Sequence, residues 1–172
     1  MRRLLIVLLA MMLGLSCASS TRQVAEDGRS SQPYYQQIRE WQQRIQKEGW
    51  AEPQVHRILS DCLQFVEYDL EIDDHWDTPR EFIRRGFRGD CEDIAIFLMG
   101  TLRRLRYPHG LRIVAVTGMF ECHALIKVQM PDGSWKYFDT LPADSPYAFH
   151  THYRPVVEFN ETEITYYENR SG

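Results

Sequence analysis

Apolar side chains recur at positions 34, 35, 38, 41 and 45, a three- and four-residue spacing that predicts an amphipathic helix over 34–47. A second stripe at Val55, Ile58, Leu59, Cys62, Phe65 and Val66 follows Pro53, which suits a helix start. Cys62 falls on this stripe and reads as a core thiol. Thr78-Pro79-Arg80-Glu81 predicts a short third helix, with Thr78 as cap, Pro79 at the first position and Glu81 closing a capping box; Gly86 ends it. A long helix over 90–106 is predicted from Ile94, Leu98, Thr101/Leu102 and Leu105, and Pro108-His109-Gly110 stops it. Cys91, three residues before Ile94, then lies in the first turn on the buried side.

Beyond Gly110 the period changes. Segments 111–117, 123–130, 135–140 and 163–168 are rich in Val, Ile, Tyr, Phe and Thr and are separated by turn residues, so they read as strands. Helices followed by an antiparallel sheet is an α+β pattern. Pro131-Asp132-Gly133 has the residue types of a three-residue hairpin loop, a type I turn closed by a left-handed glycine. With Met130 opposite Ser134, counting back along both strands places Asp139 opposite Leu125. His123 then shares a face with Asp139 on the diagonal, roughly 7–8 Å away at Cα. A two-residue loop would put them on opposite faces.

The N-terminus does not belong to this fold. Arg2-Arg3, an apolar run over 4–15 and the small residues Ser16-Cys17-Ala18 describe a secretory signal over 1–16. The run is shorter than the roughly 20 apolar residues a membrane span needs. A cysteine directly after it resembles a bacterial lipoprotein signal, although Gly14 stands where that signal usually has leucine and Leu13 lies one place earlier. The resemblance implies a lipid anchor at Cys17, with ordinary signal cleavage as the alternative. Residues 17–33 are then the lipidated cysteine and a flexible Ser/Thr-containing tether, and 34–172 the folded domain. The length of 172 residues suits one domain, and 44% hydrophobic with 26% charged residues is not a disordered composition. The net charge of −4, without a basic run, argues against a nucleic-acid partner.

Cysteine is where chemistry enters. Cys62, Cys91 and Cys122 leave an odd number of thiols once Cys17 is set aside. Cys91 is the one at a helix start, where free N–H groups favour a thiolate, though Glu92 and Asp93 oppose it. A cationic histidine is therefore required. Of the six histidines, His56 lies on a helix, His75 and His109 in loops, and His150 and His152 in one aromatic loop. His123 alone has an orienting carboxylate in prospect, Asp139. Cys122 would point to the apolar face and reads as structural, with a disulfide to Cys62 as the lesser alternative. A zinc site from Cys62, Cys91, Cys122 and His123 lacks any Cys-x-x-Cys pair, and no metal is expected.

Trp76-Asp-Thr-Pro-Arg-Glu-Phe, Gly89-Asp-Cys-Glu-Asp, Cys122-His123-Ala and Tyr137-Phe-Asp139 together resemble the transglutaminase-like superfamily, nearest its bacterial cysteine proteinases. The resemblance spans about 70–140. It implies a papain/transglutaminase-like fold with Cys91 as nucleophile, His123 as general base and acid, and Asp139 orienting the imidazole. The oxyanion donors would be the Cys91 N–H and one upstream group, for which Trp76 and His75 are candidates by nearness in sequence alone. It implies no cofactor, a monomer, and a protein or peptide substrate in the cell envelope, on the periplasmic face of the outer membrane or in the periplasm. Transamidation, hydrolysis of peptidoglycan peptides and a non-catalytic binding role stay open, and segment 141–155 reads equally as a cleft wall or a solvent loop.

Overall fold

The computed structural model describes residues 31–69, 75–118, 122–141 and 153–167. Four helices come first: α1 (Gln32–Glu48), α2 (Glu52–Leu63), α3 (Pro79–Arg84) and α4 (Cys91–Arg104). Between them, β1 (Glu67–Tyr68) and β2 (Arg88–Gly89) form a short parallel pair. Five strands follow: β3 (Leu111–Thr117), β4 (Cys122–Gln129), β5 (Trp135–Asp139), β6 (Arg154–Phe159) and β7 (Ile164–Tyr166). They form one antiparallel sheet in the order β5-β4-β3-β6-β7. The leader, Cys17, His150 and His152 lie outside the described residues, as does most of 141–155. Among the described residues no helix is long and apolar enough to cross a membrane.

Helix α4 is the centre of the molecule. Ile94, Ala95, Ile96, Phe97 and Leu98 are buried in succession, so the helix is covered on all sides rather than along one stripe. One side meets Tyr34, Ile38, Trp41, Val55, Ile58, Leu59, Phe82 and Phe87 from the helical layer. Ala95 and Ile96 meet Ile113, Ala124, Val157 and Phe159 of the sheet. Truncating any one of these large side chains costs about 2–5 kcal/mol. The same packing fixes where the first residue of α4, Cys91, emerges.

Local chemistry sets the ends. Thr78 Oγ1 accepts the Glu81 N–H at 3.3 Å while Glu81 Oε2 accepts the Thr78 N–H at 2.9 Å, the reciprocal box expected at the start of α3. Gly86 (φ 76°) and Phe87 (φ 64°) both take the left-handed conformation beyond its end. Phe87 is held there by its amide bond to the Phe82 carbonyl, 2.9 Å, and by burial among Tyr34, Phe82 and Phe97.

The Pro131–Gly133 loop closes as its residues predict. Gly133 has φ 87°, its N–H bonds to the Met130 carbonyl, and the Met130 N–H bonds to the Ser134 carbonyl at 2.6 Å. Leu125 pairs with Asp139, so His123, Leu125, Lys127, Tyr137 and Asp139 share one face.

Two readings are corrected. Strand β6 was not anticipated, because Pro155 makes 154–159 look like loop; the proline sits where the β3–β6 register shifts between Ala115 and Val116, so its missing N–H costs no regular ladder bond. Cys122 has the expected strand parity, yet it is exposed, being the first residue of β4 at the end of the sheet. Cys62 is fully buried, and Cys62, Cys91 and Cys122 are all free, so the Cys62–Cys122 disulfide is not formed.

Candidate active site

Cys91 opens α4, and the β4–β5 hairpin brings His123 and Asp139 together. Cys91 is half-buried and packs against the cluster containing Ala95, Ile113 and Ala124. His123 is buried on β4, and its Nε2 lies 2.8 Å from Asp139 Oδ1. The same carboxylate oxygen accepts the Leu141 N–H at 2.9 Å, which holds it toward the imidazole. Thr140 Oγ1 donates to the Ala124 carbonyl at 3.0 Å and ties the end of β5 to β4 beside the site. Tyr153 lies over His123, ring centroids 5.7 Å apart and 33° between planes. Sequence reasoning had no signal for Tyr153, since it enters from the start of the unanticipated strand.

The electrostatics of the thiol run opposite to a simple helix-start expectation. Burial pushes the Cys91 thiol up, and the neighbouring Glu92 carboxylate pushes further, by charge and by accepting the S–H at 3.2 Å. Asp90 adds to this, and the Ala124 backbone N–H is the group that opposes it. The resting sulfur is thus a protonated thiol leaning on Glu92. Replacing Glu92 by glutamine removes that acceptor charge. Alkylation of Cys91 by iodoacetamide in Glu92→Gln should then be faster than in the wild type at the same pH, with the profile moved toward acid. An unmoved profile would show that Glu92 does not hold the proton.

A carboxylate cluster underlies the same turn. Asp93 is buried; its Oδ1 accepts the Asp77 N–H at 2.6 Å, clamping the 75–78 segment to α4. Asp77 itself is ion-paired with Arg85 at 2.8 Å. Burial pushes Asp93 up to about 6 and Asp90 up to about 7, Glu92 adding to the latter. Asp90 Oδ1 and Asp93 Oδ2 are buried without a hydrogen-bond partner. Gly89 is required here: a Cβ on it would lie 2.4 Å from Asp93 Oδ2 and 2.9 Å from Asp93 Cβ. The sequence marks Asp93 only as a charge opposing the thiolate; on a helix buried all round it faces inward and clamps Asp77 instead.

The two upstream candidates differ. Trp76 packs on the cluster that includes Cys91 and stacks on Phe159, centroids 5.8 Å apart. The His75 side chain is 66% exposed, its Nε2 3.3 Å from Asp77 Oδ1. His56 is engaged with Glu52 at 3.4 Å and packs on Phe138, and His109 packs on Tyr107, so neither joins the site.

Comparison with known proteins agrees with the architecture. The chain superposes on LapG of Legionella pneumophila in its EGTA-treated form with a TM-score of 0.64 and 24% identity, covering 82% of this chain and 80% of that one. For calcium-bound LapG the TM-score is 0.60 at 22% identity, covering 82% and 84%. The protein therefore has the LapG transglutaminase-like, papain-like fold. No family model matches the chain, and no curated protein matches it.

Proposed function

We propose that this protein is a papain-like cysteine hydrolase that cleaves a peptide or amide bond through an acyl-enzyme on Cys91, and that its natural substrate is a protein of the cell envelope. The observation that carries the reading is the 2.8 Å pair between His123 and Asp139 on the strand register next to a helix-start cysteine. Similarity of fold to LapG, a transglutaminase-like cysteine protease, supports the same class.

In this mechanism Asp139 holds the Nε2–H, so the other ring nitrogen, Nδ1, takes the proton of Cys91. The sulfur attacks the substrate carbonyl, and the N–H groups at the start of α4 meet the developing oxyanion. His123 returns the proton to the leaving amine. Water, deprotonated by the same imidazole, then hydrolyses the thioester. Glu92 sets the resting state, a thiol that gives up its proton only when His123 is positioned to receive it. Trp76 forms the wall beside Cys91 on which the acyl group rests, and His75 stands at its exposed rim.

Calcium belongs to the description of one LapG form. In this chain two buried carboxylate oxygens near Cys91 lack partners, but among the described residues no set of three or more His, Cys, Asp or Glu side chains is arranged to hold a metal ion.

The leader and Cys17 extend the reading to place: an exported lipoprotein whose domain, at residues 34–172, works as a monomer on the end of a tether. The test compares envelope proteins and muropeptides from cells carrying the wild-type chain or Cys91→Ala. Envelope proteins shortened only with the wild type are the expected result. Altered muropeptides with intact proteins would move the substrate to peptidoglycan, and identical profiles would remove the hydrolase reading.

A further inference from the structure

Strand β6 carries one residue too many for β3. Ala115 pairs with Val157, but Val116 pairs with Pro155, so Val156 is the extra residue of a β-bulge. Val156 stays bonded on the other side, its carbonyl accepting the Tyr167 N–H at 2.9 Å. Side chains alternate along a strand, so without the extra residue Pro155 and Tyr153 would face the way Val157 does, toward Ala95 of α4. The bulge reverses that parity. Pro155, Val116 and His123 become cross-strand neighbours in one row, and Tyr153, two residues before Pro155, projects on their face. It packs on the cluster of Val114, Val116 and Leu125. Its side chain thus reaches a histidine two strands away, about 10 Å at the usual strand spacing. The tyrosine and imidazole centroids are 5.7 Å apart with 33° between planes. The His123 and Asp139 side chains beside it are only 6% and 16% exposed.

We propose that the β6 bulge makes Tyr153 a positioning residue of the proposed hydrolase: its ring covers the His123–Asp139 pair, keeps water from that hydrogen bond and fixes the plane of the imidazole. The proposal rests on the reading of His123 and Asp139 as triad members, and Tyr153 acts only through His123. A hydrogen bond to a carboxylate is stronger where water is excluded, because the local dielectric is lower and no water competes for Asp139 Oδ1. Val116 lies opposite His123 and Leu125 opposite Asp139, so apolar side chains flank the pair on the sheet while Tyr153 covers it. A ring packed on the imidazole also opposes its rotation, which keeps Nε2 on Asp139 and Nδ1 for the proton of Cys91. The ring does this rather than the hydroxyl, so phenylalanine serves as well as tyrosine.

Exchange of the His123 Nε2–H with water, read on its downfield proton resonance in the full chain, tests the cover without any substrate. The resonance should persist in the wild type and in Tyr153→Phe, and be lost to exchange in Tyr153→Ala. Alkylation of Cys91 by iodoacetamide at pH 7 should be slower in Tyr153→Ala and restored in Tyr153→Phe. A resonance retained in Tyr153→Ala, or lost equally in Tyr153→Phe, would overturn the proposal, as would a lost resonance with unchanged alkylation. Should Tyr153→Ala not fold, the wild type decides: nuclear Overhauser contacts between the Tyr153 and His123 ring protons support the cover, and their absence overturns it. Failure of the triad reading has a different signature. His123→Ala would then be alkylated at Cys91 as the wild type is, while the resonance still follows Tyr153.

Discussion

Asp139→Ala should lower turnover by about 10³–10⁴, the scale seen when the orienting acid of such a triad is lost. The reason is geometric. Asp139 Oδ1 is the acceptor 2.8 Å from His123 Nε2, and the Leu141 N–H keeps it in place. Without it a buried imidazole loses the partner that fixes its tautomer, and Nδ1 no longer presents its lone pair to the thiol. Asp139→Asn loses the charge and can turn its amide N–H toward the ring, which holds the wrong tautomer, so its activity should fall about as far as that of alanine. Cleavage of an envelope substrate found with Cys91→Ala supplies the assay, and the downfield Nε2–H proton resonance of His123 supplies an independent one. Loss of that resonance with full turnover would show that the pair is structural only. Equal activity in all three proteins would dismiss a role for Asp139.

The second large effect is on stability against pH. The unfolded chain ionises its aspartates near 4, whereas burial raises Asp93 to about 6 and Asp90 to about 7 in the folded protein. Their neutral forms favour the fold, so this contribution is whole below pH ~4 and is lost as pH rises through about 6 to 7. The two groups repel each other, which argues against adding their shifts; a loss on the order of 2–3 kcal/mol is expected. For a chain of this size that corresponds to a fall in Tm of about 5–10 °C between pH 5 and pH 8. On the acid side Glu81, Glu158 and Glu161 have pKa values lowered by bonds to Thr78, Lys127 and Arg103 respectively, so stability must also fall below pH ~4. The maximum therefore lies between about 4 and 6. Thermal melts across pH check this, with Asp93→Asn flattening the alkaline side. A melt that rises from pH 5 to pH 8 would contradict the buried, uncharged cluster.

Much of the placement was legible because it depends on local chemistry. The capping box at Thr78, the Pro131–Gly133 turn and the apolar run after Cys91 each carry their own physical instruction. The turn fixed the partner of Leu125, and with it the shared face of His123 and Asp139. What stayed hidden depends on chain segments distant in sequence. Strand β6 is disguised by Pro155, which is tolerated only because β3 breaks register opposite it. Tyr153 reaches His123 from that strand, and the Asp77–Asp93 clamp joins residues that only the packing of the 75–78 segment on α4 brings together. Strand parity predicted Cys122 as a structural thiol on the apolar face, but as the first residue of β4 it is exposed.

The central claim is that His123 receives the proton of Cys91. The rate of Cys91 alkylation by iodoacetamide against pH, in wild type and in His123→Ala, measures it most directly. The wild type should react well below pH 8, and His123→Ala should lose that reactivity and react only in strongly alkaline solution, as an isolated buried thiol does. Superimposable profiles for the two proteins would contradict the account.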